Sequence, residues 1–326
     1  MPENPTTSAQ NQPQLRPQAL SDFVGQKDLK KRIAITLEAC AMRNDVLPHQ
    51  LFAGPPGLGK TTLAQILAKE NGAKIVITSG PSIEKPADLA ATLISLERGD
   101  VLFIDEIHRL NPTVEEFLYP AMEDYKLDIL IESEAGHKAL RIDLQPFTLV
   151  GASTRPGKLS APLRSRFQTI HKLELYQLDE LAQIVYSSAT KLQMKIQDDA
   201  CLEIAKRSRG TPRTANNHLM WVRDYCLSKH NSQTISAEIT KLALQEIKID
   251  AWGLDPTDRK IMKILCETFK GGPVGVNSLA ISCGEDPETI EDMHEPFLIS
   301  EGYLKRTPQG RVALEKCFHS LNHALL

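Results

Sequence analysis

At 326 residues the chain is longer than a typical single domain, and its 41% hydrophobic content suffices for ordinary globular cores. A net charge of −3 argues against a bulk electrostatic grip on nucleic acid, so any contact with DNA must be local. The six cysteines are scattered without a C-x-x-C pair, which suits reduced, mostly buried thiols and not a zinc site or a disulfide framework.

Residues 1–14 are polar and proline-rich and read as a disordered tail, not a signal peptide. No apolar run approaches the ~18 residues of a membrane span, so the protein reads as soluble and cytoplasmic. Leu15-Arg16-Pro17 and Phe23-Val-Gly-Gln26 lead into a helix over 27–41. The apolar stretch Gln50–Ala53 reads as a buried strand, and Lys60–Glu70 carries Leu63, Ile66 and Leu67 at helical spacing. Between them lies Gly54-Pro-Pro-Gly57-Leu-Gly59-Lys60-Thr61-Thr62. Strand, glycine loop and helix is the context a phosphate-binding loop requires. The glycines let backbone N–H groups converge on phosphate oxygens, and the helix N-terminus adds favourable partial charge. Lys60 would reach the β/γ-phosphates, and the Thr61 hydroxyl would hold Mg²⁺.

Next, Val101-Leu-Phe-Ile-Asp105-Glu106 ends a buried strand in two acids. Asp105 is placed to support Mg²⁺ through its water shell and Glu106 to polarise the attacking water. Residues 127–131 and 139–144 read as a hairpin around Glu134-Ala-Gly-His137, by itself a surface excursion. The run 147–150 predicts a strand leading into Gly151-Ala-Ser153-Thr154-Arg155. A polar side chain at that tip would bond the γ-phosphate or the in-line water, Thr154 being the better candidate and Ser153 the alternative. Leu163-Arg164-Ser-Arg166-Phe167 sets two arginines before the helical region, one role being to complete a neighbouring subunit's site. The alternation of strands and helices to residue 176 predicts a parallel α/β sheet over 15–176.

From 177 to 247 helical patterning predicts a small helical domain. Within it Thr211 is an N-cap and Pro212 a first-turn residue, so Arg213 stands at a helix start where a cation favours a nearby phosphate. A linker is expected over 249–256 and a further domain over 250–326. In that domain Asp286-Pro287 opens a helix over 287–301 carrying Glu288, Glu291, Asp292 and Glu295. Lys305, Arg306 and Arg311 lie on the hairpin that follows. An acidic helix is repelled from a groove lined by phosphates, so the cations of the hairpin are expected to grip the DNA backbone without reading bases.

Taken in this order, the phosphate loop, acidic strand end, polar strand tip, arginine pair and lid arginine resemble an AAA+ ATPase. More narrowly, Asp105-Glu-Ile-His-Arg-Leu110, Tyr119-Pro-Ala-Met-Glu-Asp-Tyr125, Thr78-Ser-Gly-Pro81 and Gly271-Gly-Pro-Val-Gly275 resemble the RuvB family of Holliday-junction branch-migration motors. The resemblance implies an AAA+ P-loop parallel sheet, a helical lid and a C-terminal winged helix. It implies that Leu15 and Arg16 lie against the base of ATP and that Lys60, Thr61 and Thr62 take phosphates and Mg²⁺. Glu123, Asp124, Tyr125 and Tyr176 would lie near the nucleotide, with Arg166 the finger in trans and Arg213 the lid sensor. Arg306 and Arg311 would hold double-stranded and four-way junction DNA, and the hairpin 127–144 would dock the partner RuvA on a homo-hexameric ring. An origin-binding initiator, the nearest rival, predicts a basic recognition helix, which the acids at 288–295 contradict.

Overall fold

The computed structural model describes residues 15–133 and 136–323. They fall into two compact units, Arg16–Glu174 and a second that runs from Leu175 onward and takes in Leu15. The expected tail over 1–14 and the tip of the central hairpin at 134–135 lie outside the described residues.

The first unit is ordered α1 (Lys27–Arg43), β1 (Gln50–Ala53), α2 (Lys60–Glu70), β2 (Ile75–Ser79), α3 (Pro86–Ser95), β3 (Val101–Asp105), α4 (Pro112–Glu123), β4 (Lys126–Ser133), β5 (Gly136–Asp143), β6 (Thr148–Ser153), α5 (Ala161–Ser165) and β7 (Thr169–Lys172). Five strands form one parallel sheet in the order β2-β3-β6-β1-β7. Every residue of β1 and β6 and the first four of β3 are buried. Alternate side chains point to opposite faces, so both faces of the sheet are covered, and continuous apolar runs follow from that. Strand β6 continues to Ser153, past the expected stop at 150, because β1 pairs with it residue by residue as far as Ala53↔Ser153. The propensity of Gly151-Ala152-Ser153 is poor for a strand, and pairing overrides it. Strands β4 and β5 form the expected antiparallel hairpin, with the guanidinium of Arg141 donating to both carboxylate oxygens of Asp128 at 2.7 and 2.9 Å.

The second unit starts with α6 (Leu178–Lys191), β8 (Lys195–Ile196), α7 (Asp198–Lys206), α8 (Pro212–His230), β9 (Thr234–Ile235) and α9 (Ala237–Glu246). The parallel pair β8–β9 is two residues long, too short for any periodic signal in the sequence. Then come α10 (Pro256–Lys263), a π-helical stretch over Ile264–Thr268, α11 (Val276–Cys283), α12 (Pro287–Thr289), a second π-helical stretch over Ile290–His294, α13 (Glu295–Ser300), β10 (Leu304–Thr307), β11 (Gly310–Ala313) and α14 (Glu315–His323). The helix expected over 287–301 thus runs without a break to Ser300, with a π-helical turn in its middle. Pro296 supplies the reason: it lacks an N–H and its ring crowds the carbonyl four residues back, so the chain widens ahead of it. The hairpin of β10 and β11 gains a third partner where Val274 and Arg311 exchange backbone bonds of 3.0 and 2.7 Å.

All six cysteines are free and five are buried. Burial pushes the Cys317 thiol well up, and its Sγ lies 3.4 Å from that of Cys266. Among the described residues no helix is long and apolar enough to cross a membrane.

Candidate active site

The phosphate loop leaves the carboxyl end of β1 and enters α2 at Lys60. Gly54 sits at φ 149°, and a Cβ there would lie 2.7 Å from the Leu173 carbonyl oxygen, so only glycine fits. Lys60 is 7% exposed, and its Nζ donates to the carbonyls of Gly54 and Pro55 at 2.8 and 2.9 Å. The loop therefore curls around the ammonium, and backbone carbonyls are acceptors that phosphate oxygens readily replace. Thr61 and the buried Thr62 stand in the first turn of the same helix.

Parallel strands put the ends of β1, β3 and β6 side by side, which brings the phosphate loop, Asp105–Glu106 and Ser153–Thr154 together. Glu106 is turned by a left-handed backbone, φ 47°, and its Oε2 accepts from the Thr154 hydroxyl at 2.9 Å and the Thr154 N–H at 3.3 Å. Nδ1 of His108 lies 3.2 Å from the same oxygen. Asp105 accepts from the Glu106 N–H at 3.0 Å. Ser153, fully buried, faces Nδ1 of His108 at 3.0 Å instead. Of the two hydroxyls at the strand tip, Thr154 is the one that reaches the acid. The motif glycine Gly80 packs here too, since a Cβ on it would lie 2.4 Å from the Glu106 carbonyl oxygen.

Arg166 is at the other end of the sheet. It precedes β7, which runs parallel to β1 with Gln50 opposite Thr169, so the length of a four-residue strand, about 13 Å, lies between that end and the phosphate loop. The guanidinium donates to the Pro162 carbonyl at 2.8 Å, pairs with Glu123 at 3.0 Å and lies over the Tyr119 ring, 4.1 Å from its centre. The Tyr125 ring packs edge-on against Phe147 and His49, residues that precede β6 and β1. Burial lowers the pKa of His49, so that ring is held neutral. Glu123, Asp124 and Tyr125 thus sit with Arg166 and not beside the phosphate loop of their own chain.

In the second unit Tyr176 is buried, and its N–H donates to the Gly210 carbonyl at 2.9 Å, which ties it to the turn that starts α8. Thr211 caps that helix as expected, accepting from the Thr214 N–H, and leaves Arg213 exposed in the first turn. The Leu15 carbonyl accepts from Lys191 at 3.2 Å, whereas Arg16, exposed, begins the other unit. Arg209 is a residue that sequence reasoning missed. It pairs with Asp255 and with the wholly buried Asp258, both at 2.6 Å, and Asp258 in turn meets His294 at 2.6 Å. Its Nε donates to the Gly253 carbonyl, and Arg207 donates to that of Asp250. The segment expected to be a linker is therefore pinned to the lid. The capping box Asp255-x-x-Asp258 was a visible signal, but the arginine that buries it is 46 residues away.

On the wing, the two arginines expected to grip phosphates are paired with acids of the preceding helix. Arg306 and Arg311 are cross-strand partners, and both pair with Glu295, which is wholly buried. Arg311 also pairs with Glu291 at 2.7 Å, and its side chain is only 11% exposed. Lys305 is exposed, with no ion pair among the described residues.

Three family models cover the chain in sequence: the Holliday junction DNA helicase RuvB P-loop domain over 15–173, the RuvB AAA lid domain over 176–250 and the RuvB C-terminal winged helix domain over 251–322. A Thermotoga petrophila protein named Holliday junction branch migration complex subunit RuvB is 52% identical over 95% of this chain and 92% of its own. The protein of the same name from Oleidesulfovibrio alaskensis is 51% identical over 94% and 96%. Among solved structures, the Thermotoga maritima RuvB Holliday junction branch migration motor superposes with a TM-score of 0.87 at 49% identity, covering 94% of this chain and 98% of that one.

Proposed function

This chain belongs to the RuvB family, and from that premise we propose how its own residues carry out the family's reaction. It is a P-loop ATPase that drives branch migration of Holliday junctions. It works in the cytoplasm as a ring of six copies together with RuvA.

The observation that supports this most is the division of the site between two ends of one sheet. Lys60, Glu106 and Thr154 stand at the carboxyl ends of the strands, and Arg166 is held at an amino end by Glu123 and Pro162. An arginine so placed serves a neighbour's nucleotide, and Glu123, Asp124 and Tyr125 border that same neighbour. In each subunit Lys60, Thr62 and the loop N–H groups bind the phosphates of ATP, and Leu15, Arg16, Tyr176 and Arg213 are further residues for the nucleotide. Thr61 and Asp105 are the residues that would hold Mg²⁺, which neutralises charge on the phosphate oxygens. Glu106 takes the proton of the attacking water on Oε1, while Oε2 stays with the Thr154 hydroxyl that orients the group. Arg166 of the adjoining subunit stabilises charge on the transferred phosphoryl.

On the head, Lys305 and Arg306 face phosphates, with Arg311 bracing the wing behind them. The hairpin of β4 and β5, where Leu140 is an exposed apolar side chain, docks RuvA. The test is ATP turnover and strand exchange on four-way and linear DNA, with and without RuvA. Glu106→Gln should bind ATP yet turn it over about 10²-fold more slowly or worse. A near wild-type rate would reduce Glu106 to a surface acid.

A further inference from the structure

Three residues on α4, Glu115, Tyr119 and Glu123, are spaced four apart and so form one stripe along the helix. They differ in burial and in what they hold. Glu115 is 7% exposed and inside; its Oε2 accepts from the Ser160 hydroxyl at 2.5 Å and from the Tyr119 hydroxyl at 3.2 Å. Ser160 is also the N-cap of α5, the five-residue helix that delivers Arg166. One buried carboxylate thus fixes the orientation of the Tyr119 ring and the start of the arginine's own helix together. Glu123, at the end of the stripe, has a side chain 55% exposed.

We propose that Tyr119 is a positioning residue for Arg166, a locked aromatic platform that sets where the guanidinium is presented to the neighbouring subunit. The proposal rests on the reading of Arg166 as a finger in trans. A ring beneath a guanidinium attracts it electrostatically at up to about 6 Å, and here the separation is 4.1 Å. The donors of a guanidinium lie in its plane, so a ring on its face holds the group without using them. Arg166 Nε, buried and without a hydrogen-bond partner among the described residues, is a donor left in reserve. Glu123 acts differently. It occupies a donor and cancels charge, and a half-exposed pair is weak enough for a phosphate to displace. Tyr119 then keeps the arginine in place while Glu123 gives it up.

Mixed rings test this. A Lys60→Ala chain donates Arg166 but lacks a working pocket, and an Arg166→Ala chain has the pocket alone. Turnover in their mixture comes from interfaces that combine the two. Tyr119→Leu placed in the Lys60→Ala chain should lower the recovered kcat about tenfold, with the KM for ATP unchanged. Tyr119→Phe in that chain keeps the face and loses the hydroxyl anchor, and should lower it about threefold. The Leu substitution placed in the Arg166→Ala chain should leave the recovered rate standing, because that platform has no arginine to carry. A merely structural role would weaken both placements equally, and that result, or no effect in either, overturns the proposal. No recovery in the parent mixture, with both chains shown to co-assemble, would defeat the trans reading itself and this inference with it.

Discussion

Lys60 in the phosphate loop and Arg311 on the wing are both nearly buried cations in segments that promise a phosphate contact, yet they are held in different ways. Two of the groups that hold Lys60 are backbone carbonyls. Arg311 is held by the carboxylates of Glu291 and Glu295, the second of them without solvent exposure. A neutral acceptor can be exchanged for a phosphate oxygen at little cost. A buried carboxylate cannot be abandoned, since it would be left as an uncompensated charge in a low dielectric. The partners of a cation, and not its motif, decide whether it binds a ligand or braces the fold.

That contrast can be broken most sharply at Lys60. Lys60→Met should cut turnover about 10³-fold, as for other donors aimed at transition-state charge, and leave the melting temperature within about 2 °C. A large loss of stability there would make Lys60 as structural as Arg311. Next in size, Arg311→Ala should destabilise the chain by about 3 kcal/mol, because the wholly buried Glu295 loses the more buried of its two guanidinium partners and Glu291 loses its own. Denaturant unfolding reads this directly, and an Arg311→Ala chain that kept its stability but lost DNA affinity would reverse the assignment. The smallest effect is at Lys305, a cation with no ion pair among the described residues. Lys305→Ala should lower the slope of log affinity against log salt by roughly one, equally on unrelated DNA sequences, with folding unchanged. An unaltered slope would move the phosphate grip elsewhere on the head.

Much of the phosphate-loop end is legible in the sequence alone. Gln50–Ala53, the glycines, Lys60 and the Asp105–Glu106 strand end are local patterns, and the phosphate-loop geometry is contained in some dozen consecutive residues. What local pattern could not supply was the partner of each side chain. Ser153 and Thr154 look alike as strand-tip hydroxyls, and only the position of His108 and Glu106, more than forty residues earlier, separates them. The helix expected over 287–301 forms as far as Ser300, and what the pattern did not show is the π-helical turn ahead of Pro296, whose ring acts on the carbonyl four residues before it.

The sequence by itself determined the α/β class, the phosphate loop and its acids, the helical segment after 176 and the resemblance to a family, because these rest on periodicity and on contiguous motifs. Tertiary structure decided which charges are available. It joined Arg306 and Arg311 to Glu295, Arg209 to Asp258, and Arg166 to Glu123 and Tyr119. Each of those contacts spans separations that no local rule links, and at the wholly buried Glu295 and Asp258 burial makes the pairing obligatory, since an ion removed from water needs a counter-charge.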